Sequence, residues 1–292
     1  MTTSPLHFFY MDAREMSLTP ELRIRRISRK EKYVDGVDGG HYGWGLTHGY
    51  VYLFFAVDWF EKAGSGQGQN EIERAAASLL LFKPDIEMDG ELPSLRLEYG
   101  GYQPVEGTQL PSLNYGELDL TTPRQQQCSY ILGIDKVRDF RVFWNSLSSK
   151  PWLPNVFAAG YRLLLAQNRM GHNRDEDRLI DFIIAFEALV VRKYERGKAA
   201  VLSERAAKLT KLTGHLLQRA TDQLELAYDL RNDVVHDGFF DPNNLNRLST
   251  VGIYPRIDLF LTQIEQYLRI GMKEYILLNN QGLTKDQIIQ TL

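Results

Sequence analysis

The chain reads as α+β: a mixed, β-rich N-terminal domain over residues 1–150, then an all-helical bundle over residues 151–292. Three observations predict this division. In the first half, apolar and polar residues alternate over short runs, the period of a half-buried strand. In the second half, apolar residues recur at helical spacing almost throughout. Between them, Ser148-Ser149-Lys150-Pro151-Trp152-Leu153-Pro154 sets two prolines and small polar residues where neither pattern can continue.

The elements follow in order. Residues 22–27, Leu-Arg-Ile-Arg-Arg-Ile, open with alternation and read as a strand. The basic cluster runs on through Arg29, Lys30 and Lys32; it could touch phosphate, but a solvated strand face is the favoured reading. Gly36, Gly39, Gly40, Gly43 and Gly45 mark a loop, but their spacing is not that of a phosphate cradle. Residues 50–60 are rich in aromatic and β-branched side chains and predict a strand. Residues 64–69 read as a flexible connector. Asn70 followed by Glu73 resembles a helix-starting cap for residues 72–82.

Short strands are expected at 95–99, 117–120 and 129–134. Asp135 then caps a helix carrying Val137, Phe140, Trp144 and Leu147 on one stripe. Beyond the proline break, helices are predicted at 156–170, 174–193, 201–213, 216–236 and 253–278. Gly271 is the expected weak point of the long one, and a short helix follows at 283–292.

Composition limits what the chain does. Its 292 residues fit one large or two modest domains. A net charge of −3 argues against coating nucleic acid through bulk charge, so any such contact is a local site. Cys128 is the single cysteine, which forbids an intrachain disulfide and fits a reducing compartment; it reads as a small buried hydrophobe. The opening Met-Thr-Thr-Ser-Pro has no basic-then-apolar leader pattern, and the apolar run at 50–57 is too short to span a bilayer. A cytoplasmic protein with no membrane partner is expected.

The chemistry gathers at Tyr228-Asp229-Leu230-Arg231-Asn232-Asp233-Val234-Val235-His236-Asp237-Gly238. The stretch predicts the last turns of a helix stopped by a glycine in the left-handed cap. Asn232 and His236 are four apart and share a face. Arg231 lies roughly 140° around from His236, but its long side chain reaches the same end. Val234 and Val235 are expected to anchor the segment in a core. Histidine suits acid–base work near neutral pH, and an arginine beside it can hold phosphate oxygens as charge develops. Both residues also complement the helix dipole without any further role.

Residues 182–191, Phe-Ile-Ile-Ala-Phe-Glu-Ala-Leu-Val-Val, are apolar on every face and predict a central helix. Glu187 is the one ionisable group there and is expected to be buried. A buried carboxylate needs a partner. Arg231 and His236 are the candidates, against a purely structural salt bridge to another cation.

Three pieces of the second half resemble the HEPN superfamily, in particular its ApeA-like domains. They are Asp177-Arg178-Leu179-Ile180-Asp181 running into Ala185-Phe186-Glu187-Ala188-Leu189, then Leu202-Ser203-Glu204-Arg205-Ala206-Ala207, then Leu226 to His236 with its R-x4-H motif. The resemblance spans residues 151–280. It implies a helical bundle that dimerises and cleaves RNA without metal, with the motifs of two protomers meeting in one composite site. Catalysis is thereby assigned to Arg231, Asn232 and His236, with Glu187 at a recurring acidic position in support. Gly238 stands where a related toxin subgroup carries a tyrosine, so regulation through that tyrosine is not expected. Antiviral defence or a toxin-like stress response is the implied setting, and the N-terminal domain would sense a trigger or gate the nuclease.

No other chemistry competes in the sequence. His7, His41, His48, His172 and His215 are scattered singly, without zinc-site spacing. Asp85, Glu87, Asp89 and Glu91 alternate but lack the glycine and terminal glutamate of a calcium loop. No Gly-x-Ser-x-Gly elbow occurs. No cofactor and no metal are therefore expected. The expected activity is metal-independent endoribonuclease. The alternative is a non-catalytic HEPN scaffold that dimerises and binds RNA or protein; the polar residue at Asn232 favours the enzyme.

Overall fold

The computed structural model describes residues 2–7, 9–11, 13, 15–20, 22–26, 52–56, 67–82, 98–99, 103–104, 130–168, 175–253 and 256–292. Backbone contacts gather the chain into two compact units, residues 1–76 with 95–145 and residues 77–94 with 146–292. Helix predominates among the described residues, and every described strand lies before residue 133.

In the first unit the strands are β1 (Thr2–His7), β2 (Phe9–Met11), β3 (Glu15–Ser17), β4 (Leu22–Arg26), β5 (Tyr52–Ala56), β6 (Glu98–Tyr99), β7 (Gln103–Pro104) and β8 (Tyr130–Leu132). The larger sheet runs β3-β4-β5-β1-β6, with β7 also on β1, and all its pairings are antiparallel. β2 and β8 form a separate parallel pair. In β4 the predicted alternation holds. Leu22 and Ile24 are fully buried, and Arg23 on the other face donates to Glu15 of β3 at 3.4 Å. A period of two sends one set of side chains inward and the other toward water.

Helix α1 (Gln67–Phe82) starts before the expected cap. Asn70 lies inside it, and part of the expected connector is helical. Each residue added to an existing helix gains a hydrogen bond without a new nucleus, so the helix extends back from its buried stretch. Helix α2 (Ile134–Leu147) buries Val137, Phe140, Trp144 and Leu147, the predicted stripe. The expected strand at 117–120, the glycine loop at 36–45, the acidic run at 85–91 and Cys128 fall outside the described residues.

The second unit holds α3 (Pro154–Asn168), α4 (Asp175–Val190), α5 (Lys198–Leu209), α6 (Gly214–Asp237), α7 (Pro242–Asn246), a 3-10 turn (Arg247–Ser249), α8 (Ile257–Asn280) and α9 (Lys285–Thr291). No strand occurs among its described residues. Pro154 opens α3, where the missing N–H is no loss. α4 packs against α3, α5, α6, α8 and α9, the central place its apolar sequence predicts. Phe182, Ile183, Phe186 and Leu189 are fully buried there. α8 runs unbroken through Gly271, contrary to the expected weak point. A Cβ added at Gly271 would meet the Leu209 Cβ at 3.4 Å, so the missing side chain admits α5 at close range. Among the described residues no helix is long and apolar enough to cross a membrane.

The end of α4 is held by cations. Arg205 donates to Val190 O at 2.9 Å, and Lys285 to Ala188 O at 2.7 Å, so two of the orphan carbonyls at the helix end are satisfied. Arg205 also forks onto Glu195 at 2.7 and 2.8 Å. The Arg205 hydrogen bonds, followed by the Arg192 backbone N–H, hold the Glu195 carboxyl down at about 2, against an ordinary 4.5. A carboxyl depressed on folding stabilises the native state above its unfolded value. That contribution fades as pH falls from 4.5 toward 2. Glu195→Gln should therefore cost about 2 kcal/mol near neutral pH, the scale of a charged hydrogen bond. Urea titrations at several pH values check this: the gap to wild type should narrow below pH 4.5. A gap that widens on acidification contradicts it.

Candidate active site

Helix α6 carries the motif to its C-terminal end. Leu224, Leu226, Ala227 and Leu230 are fully buried, and burial along the helix stops at Leu230. The last two turns project from the packed part. Gly238 ends the helix at φ 84°, with its N–H on Val234 O at 2.9 Å. That is the left-handed cap that glycine adopts without strain.

A return segment fixes the same end from one side. Asp241 caps α7 by accepting from the Asn243 N–H at 2.8 Å. Asp233 accepts from Asn244 Nδ2 at 2.9 Å and from the Asp241 N–H at 3.3 Å. Arg247 donates to Asp229 at 2.8 Å. The two motif carboxylates nearest Arg231 in sequence are thus occupied elsewhere.

Arg231 keeps its charge available. Its Nη1 donates to Asn232 Oδ1 at 3.1 Å, and the guanidinium carbon lies 5.7 Å from the Tyr228 ring centroid. No carboxylate among the described residues pairs with it. His236 is exposed, in the final turn, and shares its face with Asn232. The helix therefore brings Arg231, Asn232 and His236 to one solvent-facing end, with a neutral amide steering the arginine. An arginine without a carboxylate partner can pair with a phosphate, and an exposed imidazole can take or give a proton.

Two expectations are corrected here. Val235 is 51 % exposed rather than anchored in a core, Val234 is half-buried, and Phe239 beyond the cap is 58 % exposed. The reason is the projection of the last turns past Leu230, the last buried position. Glu187 is half-buried rather than enclosed, and it forms no ion pair with Arg231 or His236. It lies near the end of α4, on the less covered stripe with Ile180, Ile184 and Ala188, where water offsets the cost of its charge.

Glu187 acts instead on Tyr228. Burial first, and then the Glu187 charge, push the Tyr228 hydroxyl above its ordinary range, while the Arg231 cation pulls it down. Tyr228 is the residue that sequence reasoning passed over. Its position three before Arg231 and four before Asn232, on the motif face, is the signal that finds it. If this end of α6 cleaves RNA, as the resemblance implies, Tyr228→Leu should lower single-turnover cleavage about tenfold, because the guanidinium loses the ring it rests on. Tyr228→Phe should keep most of the rate. A wild-type rate in Tyr228→Leu would remove Tyr228 from the site.

Among the described residues, no three His, Cys, Asp or Glu side chains gather as a metal-binding group. Comparison with family models, curated proteins and solved structures finds no match to this chain.

Proposed function

We propose that this chain is a metal-independent endoribonuclease of HEPN type, working at a composite site between two copies. One observation carries the reading. At the exposed end of α6, an arginine with no carboxylate partner among the described residues and an open histidine stand on either side of an asparagine that holds the arginine. The three-piece resemblance in residues 177–236 supports it from the sequence.

In this reading the 2′-hydroxyl of RNA attacks the adjacent phosphorus. The new 2′-oxygen–phosphorus bond forms as the bond to the 5′-oxygen breaks. One His236 takes the 2′-hydroxyl proton, and His236 of the partner subunit gives a proton to the leaving 5′-oxygen. Arg231 neutralises the equatorial phosphoryl oxygens. Asn232 keeps Arg231 in place. The products are a 2′,3′-cyclic phosphate and a 5′-hydroxyl, so atoms and protons balance without added water.

The exposed Val235 and Phe239 beside the motif, with the half-covered stripe of α4, supply apolar surface for a homodimer. Residues 1–150 act in this proposal as a β-rich sensor domain that gates the nuclease in antiviral defence or stress. The scaffold alternative uses the same surface and needs no chemistry.

Purified protein should cut single-stranded RNA in EDTA and leave cyclic-phosphate ends. It should spare a substrate that is 2′-deoxy at the scissile position. Cleavage only with added divalent metal, or cleavage of the deoxy substrate, overturns the mechanism. A strict monomer in light scattering that retains activity overturns the composite site.

A further inference from the structure

The loop that leaves α4 carries a second concentration of charge, apart from the motif. Residues 192–198 read Arg-Lys-Tyr-Glu-Arg-Gly-Lys, four cations and one carboxylate, in a chain whose net charge is −3. Two of these charges are already engaged. Glu195 is held by Arg205, and Arg192 donates to Asp286 at 2.9 Å. Lys193, Arg196 and Lys198 are exposed and have no carboxylate partner among the described residues.

Tyr194 stands among them with 86 % of its surface exposed, the most exposed of the large apolar or aromatic side chains in the described residues. Lys193 Nζ lies 5.3 Å from its ring centroid, which leaves ring surface open to solvent. The loop itself is firmly seated. Glu195 is tied to Arg205 and to the Arg192 N–H, and Gly197 turns the chain into α5 at φ 64°. A fixed loop therefore displays an aromatic face among unpaired cations. α4 leads from Glu187, which faces Tyr228 of the motif helix, directly into this loop.

We infer that residues 192–198 form a binding site for single-stranded RNA, with one base stacked on Tyr194 and the flanking phosphates on Lys193, Arg196 and Lys198. Every base has a π-face, so an aromatic platform with cations around it grips single strands with little sequence preference. Duplex RNA keeps its bases stacked and cannot use the platform. The inference rests on the ribonuclease reading for the identity of its ligand, but it places the handle outside the chemical site.

Fluorescence anisotropy with full-length protein and a labelled 2′-O-methyl oligouridylate tests it. That probe lacks the attacking hydroxyl, so binding is read without cleavage. Tyr194→Leu should weaken binding about tenfold, and Tyr194→Phe should bind like wild type. The double variant Arg196→Ser, Lys198→Ser should lower the slope of log affinity against log salt by about 1.4, two cations' share on a single strand. Affinity for a self-complementary duplex should not change with Tyr194→Leu. Wild-type affinity in Tyr194→Leu and in the double variant overturns the inference, as does a wild-type protein that does not bind the probe. Cleavage of unmodified RNA, measured in parallel, keeps the two readings apart. Tyr194-dependent binding without cleavage sinks the nuclease and leaves the binding site standing. Cleavage with Tyr194-independent binding does the reverse.

Discussion

In the proposed ribonuclease, His236→Ala should lower the rate of RNA cleavage by about a hundredfold or more and leave the thermal melt where it is in the wild type. The first part follows from the loss of a positioned acid and base, which contributes about 10²–10⁴ in rate. In a composite site both copies of the histidine disappear at once, so the upper part of that range is the better guide. The second part follows from the side chain's place. His236 is exposed in the last turn of α6, past the final buried residue, Leu230. The Gly238 cap that ends the helix uses the backbone of Val234 and needs nothing from the imidazole. Quench-flow rates on a fluorogenic RNA, with circular-dichroism melts alongside, measure both. A variant that cuts at the wild-type rate removes His236 from the mechanism. A variant that melts far below wild type contradicts the placement of the side chain.

In the proposed enzyme, Arg231→Ala should be the second large effect, about 10²–10³ in the chemical step, the scale seen when a donor to a developing oxyanion is removed. The setting of Arg231 shapes how conservative variants behave. Its guanidinium rests near the Tyr228 ring, one Nη donates to Asn232, and its buried Nε has no partner among the described residues. This arrangement aims a planar fork. Arg231→Lys keeps a positive charge but cannot make the fork or lie along the ring in the same way. It should recover only a small part of the lost rate, with substrate affinity much closer to wild type than turnover. Asn232→Ala should fall between, because the arginine stays but is no longer steered. If lysine restores full turnover, Arg231 acts as simple charge and the positioning by Tyr228 and Asn232 is irrelevant. If Arg231→Ala raises KM alone, the arginine binds substrate without favouring the transition state.

Local chemistry makes much of this molecule legible in its sequence. The stripe Val137, Phe140, Trp144 and Leu147, the alternation of Leu22 and Ile24, the proline break before α3 and the glycine stop of α6 each depend on a few neighbours along the chain. Periodicity and backbone preference act at that range, so the sequence determines them alone. The co-location of Arg231, Asn232 and His236 at one helix end is of the same kind, since 3.6 residues per turn sets it.

What only the tertiary structure decided is which faces are covered and by what. Val235 has the side chain of a core residue, yet it is exposed because the packed length of α6 ends at Leu230. Glu187 sits in an apolar run that predicts burial, yet α4 leaves its stripe half open, and its charge is felt at the Tyr228 hydroxyl. Gly271 reads as a break and serves as a close contact with Leu209. Asp229 and Asp233 are engaged by Arg247, Asn244 and the Asp241 N–H, from a segment beyond the helix. Each of these depends on groups brought together from separate stretches of chain. Burial and ion pairing are properties of that assembly, and no spacing along the sequence encodes them.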